Sequence, residues 1–311
     1  MTGTQENRKQ RGRRKYFIIF IVIFILFFVK TSHQYSQRNI SSVVEAGDVS
    51  ESILLATEKS TINMALQYEK SAIEAEKARI AEEKKQKQIL KRELREKEGI
   101  KVAYLTFDDG PSANVTPQIL DILDKYDIKA TFFVVGKTDN YSKDIYRRIV
   151  DEGHSLGLHS YSHRYDLIYD SLDNFKYDLY KLQDFLYDVT DYKTNIYRFP
   201  GGSGNEVSKE DIKVFIEFLN ENNITYFDWN VMNGDASSEG VTVEESYNNV
   251  INGVKIYRNS VVLMHDTNNQ VSTVESLPLI IETLLEDDFE ILPLSNHVKP
   301  IQQIEANKIY E

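Results

Sequence analysis

The chain has 311 residues, with 37 Lys plus Arg, 48 Asp plus Glu, 41% hydrophobic residues and no cysteine, which suits one large domain or two ordinary ones. Without cysteine there is no disulfide framework, thiolate zinc knuckle, iron–sulfur ligation or cysteine nucleophile, so any metal must be held by His, Asp or Glu. Residues 1–100 carry 19 basic and 13 acidic side chains, whereas residues 101–311 carry 18 and 35; that net −17 repels phosphates and argues against nucleic acid as a partner.

The first predicted element is a basic cytoplasmic tail at residues 1–15, with Arg8, Lys9, Arg11, Arg13, Arg14 and Lys15. A transmembrane signal anchor follows at 16–32. Its uncharged core, 16–29, would span only about 21 Å as a helix, against roughly 30 Å of hydrocarbon, so a cleaved signal peptide is the alternative. No small-x-small site follows Val29, which favours retention. The basic flank stays inside, so a single-pass protein with everything after Lys30 outside is expected. Residues 33–98 read as a helical, coiled-coil-like stalk: no glycine or proline lies between Gly47 and Gly99, and Glu83–Lys87 and Glu93–Lys97 pair at i, i+4. Leu66, Ile73, Ile80 and Leu94 keep a seven-residue spacing that Lys87 interrupts. Self-association through the stalk and a solvated single helix are therefore both open.

From Lys101 the texture changes to short apolar runs: 102–107, 130–135, 154–159, 196–200, 225–231, 261–265 and 289–294. Helical windows lie between them near 114–126, 141–152, 171–189, 208–222, 243–257 and 273–287. Strand then helix, repeated about seven times, predicts an α/β fold, a closed or nearly closed barrel of parallel strands. Such barrels carry their catalytic groups at the C-terminal ends of strands. Those ends hold Asp108-Asp109-Gly110, His159 with His163, Arg198-Phe199-Pro200-Gly201-Gly202, Asp235, and His265-Asp266. Each has an ordinary structural reading alone; one at the end of each of several strands points to a metal hydrolase. His154, at the far end of the strand carrying His159, reads as structural, and His297 as a surface residue.

T-F-D-D-G (106–110), H-S-x-x-H (159–163), R-F-P-G-G (198–202) and L-M-H (263–265) resemble, in order and interval, the polysaccharide deacetylase family, also called NodB-homology or carbohydrate esterase family four. The resemblance covers residues 99–298, with 299–311 left as a C-terminal tail, and implies a distorted (β/α) barrel. It implies one divalent metal ion held by Asp109, His159 and His163, zinc by default, with cobalt, nickel, manganese or iron compatible with the same ligands. It implies Asp108 as general base, oriented by Arg198, the Gly201 amide as oxyanion donor after Pro200, and His265 as general acid, hydrogen-bonded by Asp235. Many relatives have Trp directly after the aspartate matching Asp235; here Ala236 stands there. Trp229, expected on the preceding strand, and Leu263 are the candidates for the acyl-pocket wall, with Trp229 as barrel core the alternative. The implied activity is removal of N-acetyl groups from an N-acetylglucosamine glycan, peptidoglycan foremost. Chitin-type oligomers, an exopolysaccharide or O-acetylated xylan are alternative substrates, and an inactive wall-binding scaffold is the reading from another class.

Overall fold

The computed structural model describes residues 47–305. The basic tail and the anchor expected at 16–32 lie outside the described residues; among the described residues no helix is long and apolar enough to cross a membrane. Among the described residues the chain divides into two units, with the boundary between Glu82 and Glu83. Helix α1, Gly47–Glu98, is the long helix that its composition predicts. It stops at Gly99, whose φ of +72° ends a helix at little steric cost. Along it Leu66 and Ile73 stay exposed.

After α1 the elements alternate: β1 Lys101–Asp108, α2 Val115–Lys125, β2 Thr131–Val135, α3 Asn140–Asp151, β3 Ser155–Ser160, a short α4 Tyr165–Ile168 and α5 Leu172–Thr190. Then come β4 Ile196–Tyr197, α6 Ile212–Glu221, β5 Thr225–Tyr226, β6 Val231–Met232, α7 Val243–Val254, β7 Asn259–His265, α8 Val271–Glu286 and β8 Phe289–Ile291. Local chemistry starts the helices. Asp139, Ser171, Asp211 and Thr242 each accept a backbone N–H from the first turn, and Thr242 with Glu245 completes a capping box.

The strands run in the order β5-β4-β3-β2-β1-β7-β6, with β8 on β1, and every pairing is parallel. Strand β1 shows how the sequence encodes two faces. Ala103, Leu105 and Phe107 pack outward against the helices. Val102 and Tyr104 belong to an inner cluster with Phe133, Ile196, Phe227, Val261 and Leu294. Thr106 and Asp108 continue that inner face, since side chains alternate along a strand. The barrel interior is thus apolar at the strand starts and polar at their ends.

One sequence expectation is corrected here. The run 225–231, read as a single strand, is two short strands at opposite ends of the sheet, joined by residues 227–230. The break lies at Asp228. Its amide donates to the Ile301 carbonyl at 2.8 Å, and its carboxylate accepts from the Ser203 amide and hydroxyl and from the Gln303 amide. The segment read as a tail is therefore structural over 301–304: it lies along β5 and the link, with Gln302 donating to the Tyr226 carbonyl and Ile304 to Ser203.

Candidate active site

The expected site residues lie at the C-terminal ends of the strands. At the end of β1 the backbone turns left-handed at Asp109 (φ 73°), a conformation that aspartate tolerates better than most residues. This separates two adjacent carboxylates. Asp108 stays on the inner face, 97% shielded, where its Oδ1 accepts from Arg198 Nη1 at 2.8 Å. Asp109 faces two imidazoles: its Oδ1 lies 3.2 Å from His159 Nε2 and 3.0 Å from His163 Nε2.

Those three donors fit a metal ion. Their ligand atoms all lie within 4.8 Å of one another. The contacts lack hydrogen-bond geometry, and Asp109 Oδ1 is a buried atom without a donor, as expected for lone pairs aimed at a common point rather than at one another. Burial alone would push the Asp109 carboxyl up, but the two imidazoles outweigh it and hold the group well below the usual carboxylate range. Burial would lower the His159 pKa, and the negative charges of Asp108 and Asp109 reverse this and raise it. The pocket thus draws positive charge onto its imidazoles, a role that a cation fills. The His159 ring is aimed by its other nitrogen, Nδ1, which lies 2.8 Å from the Arg198 carbonyl, the outer support that metal-binding histidines usually have.

Arg198, from the loop after β4, is fully buried. Its guanidinium donates to the Phe227 carbonyl (3.0 Å), Thr106 Oγ1 (2.6 Å), Asp108 Oδ1 (2.8 Å) and the Asp228 carbonyl (3.1 Å). It also lies over the Phe133 ring, 4.3 Å from the centroid. The guanidinium spans the barrel, tying β1 to the β5–β6 link and fixing the Asp108 carboxylate. Gly201 follows with φ 78°. The Tyr169 hydroxyl donates to the Pro200 carbonyl at 2.7 Å, and because that carbonyl shares a peptide plane with the Gly201 N–H, the bond also sets the direction of that amide.

On the far side His265 ends β7, paired in register with Asp108. Its Nδ1 lies 2.7 Å from Asp235 Oδ1, and its amide donates to Asp235 Oδ2. Burial would lower the His265 pKa; the hydrogen bond and charge of Asp235, aided by Asp108 and Asp109, raise it to about 9. The imidazole therefore carries a proton at neutrality. Asp235 is held in turn by Thr273, whose hydroxyl donates to Oδ2 at 2.7 Å.

Leu263 is buried two residues before His265, on the same face of β7. Trp229 sits in the β5–β6 link rather than on a strand, half-buried against the inner cluster. A Cβ on Gly202 would come within 3.0 Å of its ring, so it packs beneath the glycine loop. His154 is structural, as expected: its Nδ1 accepts the Ala130 amide. His297 is half-buried, and its carbonyl accepts from Arg92.

Sequence reasoning missed several supporting groups. Asp178 of α5 accepts from the Ser160 hydroxyl and from the Tyr161 and Ser162 amides. The Ser160 hydroxyl oxygen in turn accepts the His163 amide, bracing the loop that carries His163 (φ 51°). A buried aspartate in a helix window 15 residues past the H-S-x-x-H motif was the only available signal. Met232 is paired with Leu263 across β6 and β7. Its neighbour Val231 points into the outer core, so Met232 faces inward, 51% exposed at the mouth.

Comparison with known proteins agrees with this geometry. The polysaccharide deacetylase family model matches residues 95–215. YheN of Bacillus subtilis, which bears the polysaccharide deacetylase name, is 34% identical over 66% of this chain and 71% of its own length. A peptidoglycan-N-acetylglucosamine deacetylase of Bacillus cereus is 33% identical over 58% of this chain, which spans 62% of that relative. Among solved structures, the catalytic domain of a peptidoglycan N-acetylglucosamine deacetylase from Eubacterium rectale superposes with a TM-score of 0.62 at 36% identity, covering 67% of this chain and 94% of that one. With its motifs converging at one mouth of a parallel half-barrel, this chain belongs to the polysaccharide deacetylase family.

Proposed function

We propose that the protein is a metal-dependent hydrolase that removes N-acetyl groups from N-acetylglucosamine residues of an extracellular polysaccharide, with peptidoglycan as the substrate. The observation carrying this reading is the convergence of Asp109, His159 and His163 on one point, flanked by the Asp108–Arg198 pair and by the His265–Asp235 pair. Asp109, His159 and His163 would hold a divalent cation, zinc first for this donor set, which when bound polarises the acetyl carbonyl and acidifies water. Asp108 takes the proton of the attacking water, and Arg198 keeps its carboxylate oriented for that step. The Gly201 N–H donates to the oxygen that becomes negative at the tetrahedral stage. His265, protonated at neutrality because Asp235 stabilises its charge, gives its proton to the departing amine. Acetate and a glycan bearing a free amine leave.

Peptidoglycan is favoured by the names of the relatives above. The membrane location rests on the apolar run at 16–29, and self-association on the exposed apolar residues of α1; both belong to the same proposal. The test is acetate release from purified cell wall and from N-acetylglucosamine oligomers, with and without chelator, beside Asp108→Asn. Release should require metal and drop by roughly 10²–10⁴ in the variant. Activity that survives full metal removal would refute the mechanism, and release no different from that of Asp108→Asn would favour an inactive scaffold.

A further inference from the structure

At the opposite end of the barrel, the starts of β1 and β7 and the last turns of α1 enclose a cavity of about 230 Å³. Six residues of extended chain separate Val102, on its floor, from Asp108, so it lies about 20 Å from the catalytic mouth. The floor is apolar: Val102, Tyr104 and Val261 of the inner cluster, with Leu292 and Ile301 beside them.

The wall is cationic. Lys91, Arg92, Arg95, Arg258 and Lys299 line it, and Glu96 is the one acid among the lining residues. Glu290 neutralises Arg95 at 2.5 Å. Arg92 is less fully paired: its Nη1 donates to the His297 carbonyl, while its Nε, a buried donor without a hydrogen-bond acceptor, has only a 4.0 Å ion pair with the exposed Glu96. Arg258 makes one long bond, 3.4 Å, to the Glu96 carbonyl. On the floor, Tyr104 is 9% exposed and brings its hydroxyl to the cavity. Buried polar groups normally find partners, so the unmet Arg92 Nε among clustered cations describes a site for an acceptor.

We infer that this cavity binds a small organic anion, a phosphate or carboxylate carried on a compact apolar body. The head meets Arg92 and Arg258, whose forked donors suit both anions; the body rests on Tyr104, Val261 and Leu292. The size agrees: a cavity of about 150 Å³ accepts benzene, so this one takes a single ring and its anionic head.

The test uses the full-length protein and four probes, phenylphosphate, benzoate, inorganic phosphate and phenol, titrated by calorimetry. At least one of the two organic anions should bind one to one, at least tenfold more tightly than either inorganic phosphate or phenol. Arg92→Gln combined with Arg258→Gln should weaken that binding at least tenfold, and Tyr104→Phe roughly fivefold. The replaced arginines are partly or largely exposed, so folding should persist, checked by circular dichroism; if it does not, Lys91→Gln with Lys299→Gln, both exposed, applies the same test. The inference is overturned if neither organic anion saturates, if binding survives removal of the cations, or if inorganic phosphate binds as tightly as the organic anions. Because the readout is binding, none of these results depends on the proposed deacetylation.

Discussion

Replacing Arg198 by methionine removes the cation beneath Asp108 while keeping most of the buried volume. In the native barrel the guanidinium is wholly shielded and satisfies four acceptors: a carboxylate, a hydroxyl and two carbonyls. Removing one partner of a buried ion pair costs about 3–5 kcal/mol, because the remaining charge stays uncompensated. Each neutral acceptor left dry adds about 1–3 kcal/mol where water cannot follow. The metal-free Arg198→Met protein should therefore lose at least about 4 kcal/mol of unfolding free energy in urea titrations, a large share of the 5–15 kcal/mol typical of a domain. Pairing it with Asp108→Asn isolates the ion pair. The double variant should be more stable than the sum of the single losses by at least about 1.5 kcal/mol, since the orphaned charge is gone. Arg198→Lys should recover little, as one ammonium cannot reach four acceptors. A loss below about 1 kcal/mol for Arg198→Met, or additive single effects, would show that the pair is not what holds Asp108 in place.

Three further outcomes follow from the same geometry. His265 is raised to about 9, so the pH profile of kcat/KM should fall as pH rises through about 9, and Asp235→Asn should move that limb down by on the order of two pH units; an unmoved limb would remove His265 as the acid. The sign for stability is the same: a raised histidine pKa stabilises fully below its unfolded value and the benefit is lost as pH passes about 9. Asp178→Ala frees the loop carrying His163 and should weaken zinc binding by about 10–100-fold in a competition assay while the protein remains folded; native affinity would mean that the loop is rigid without it. Met232→Ala, beside Leu263, should raise the preference for N-propionyl over N-acetyl glucosamine oligomers by roughly tenfold, and an unchanged ratio would place the acyl group elsewhere.

The candidate site was legible because its chemistry is local to strand ends. Runs such as 102–107 announce a strand, and the polar residues that follow, Asp108 and Asp109, have nowhere to go except the mouth. The supports were not legible, because they come from elements whose sequence has other reasons to be as it is. Asp178 is one of many acids in an amphipathic helix, and nothing in its neighbours says that it braces the loop bearing His163. Asp228 was hidden more thoroughly. The aromatic and β-branched residues around it, Tyr226, Phe227, Trp229 and Val231, have strong strand propensity, so the run reads as one strand. The carboxylate overrides that preference by collecting donors from Ser203 and Gln303, on two distant segments.

That override links fold to site. Strands β5 and β6 occupy the two ends of the sheet order yet are neighbours in sequence, so residues 227–230 must cross the opening that a hydrogen-bonded barrel would close. Crossing there exposes the carbonyls of Phe227 and Asp228 to the interior, where a buried donor has to meet them, and Arg198 does. A fully closed ladder would have engaged those carbonyls between strands, leaving the guanidinium two acceptors short and less able to bear burial. The gap in the barrel is therefore part of what makes a fully buried arginine tolerable beneath Asp108, and the Asp108 carboxylate is oriented by a break in the sheet.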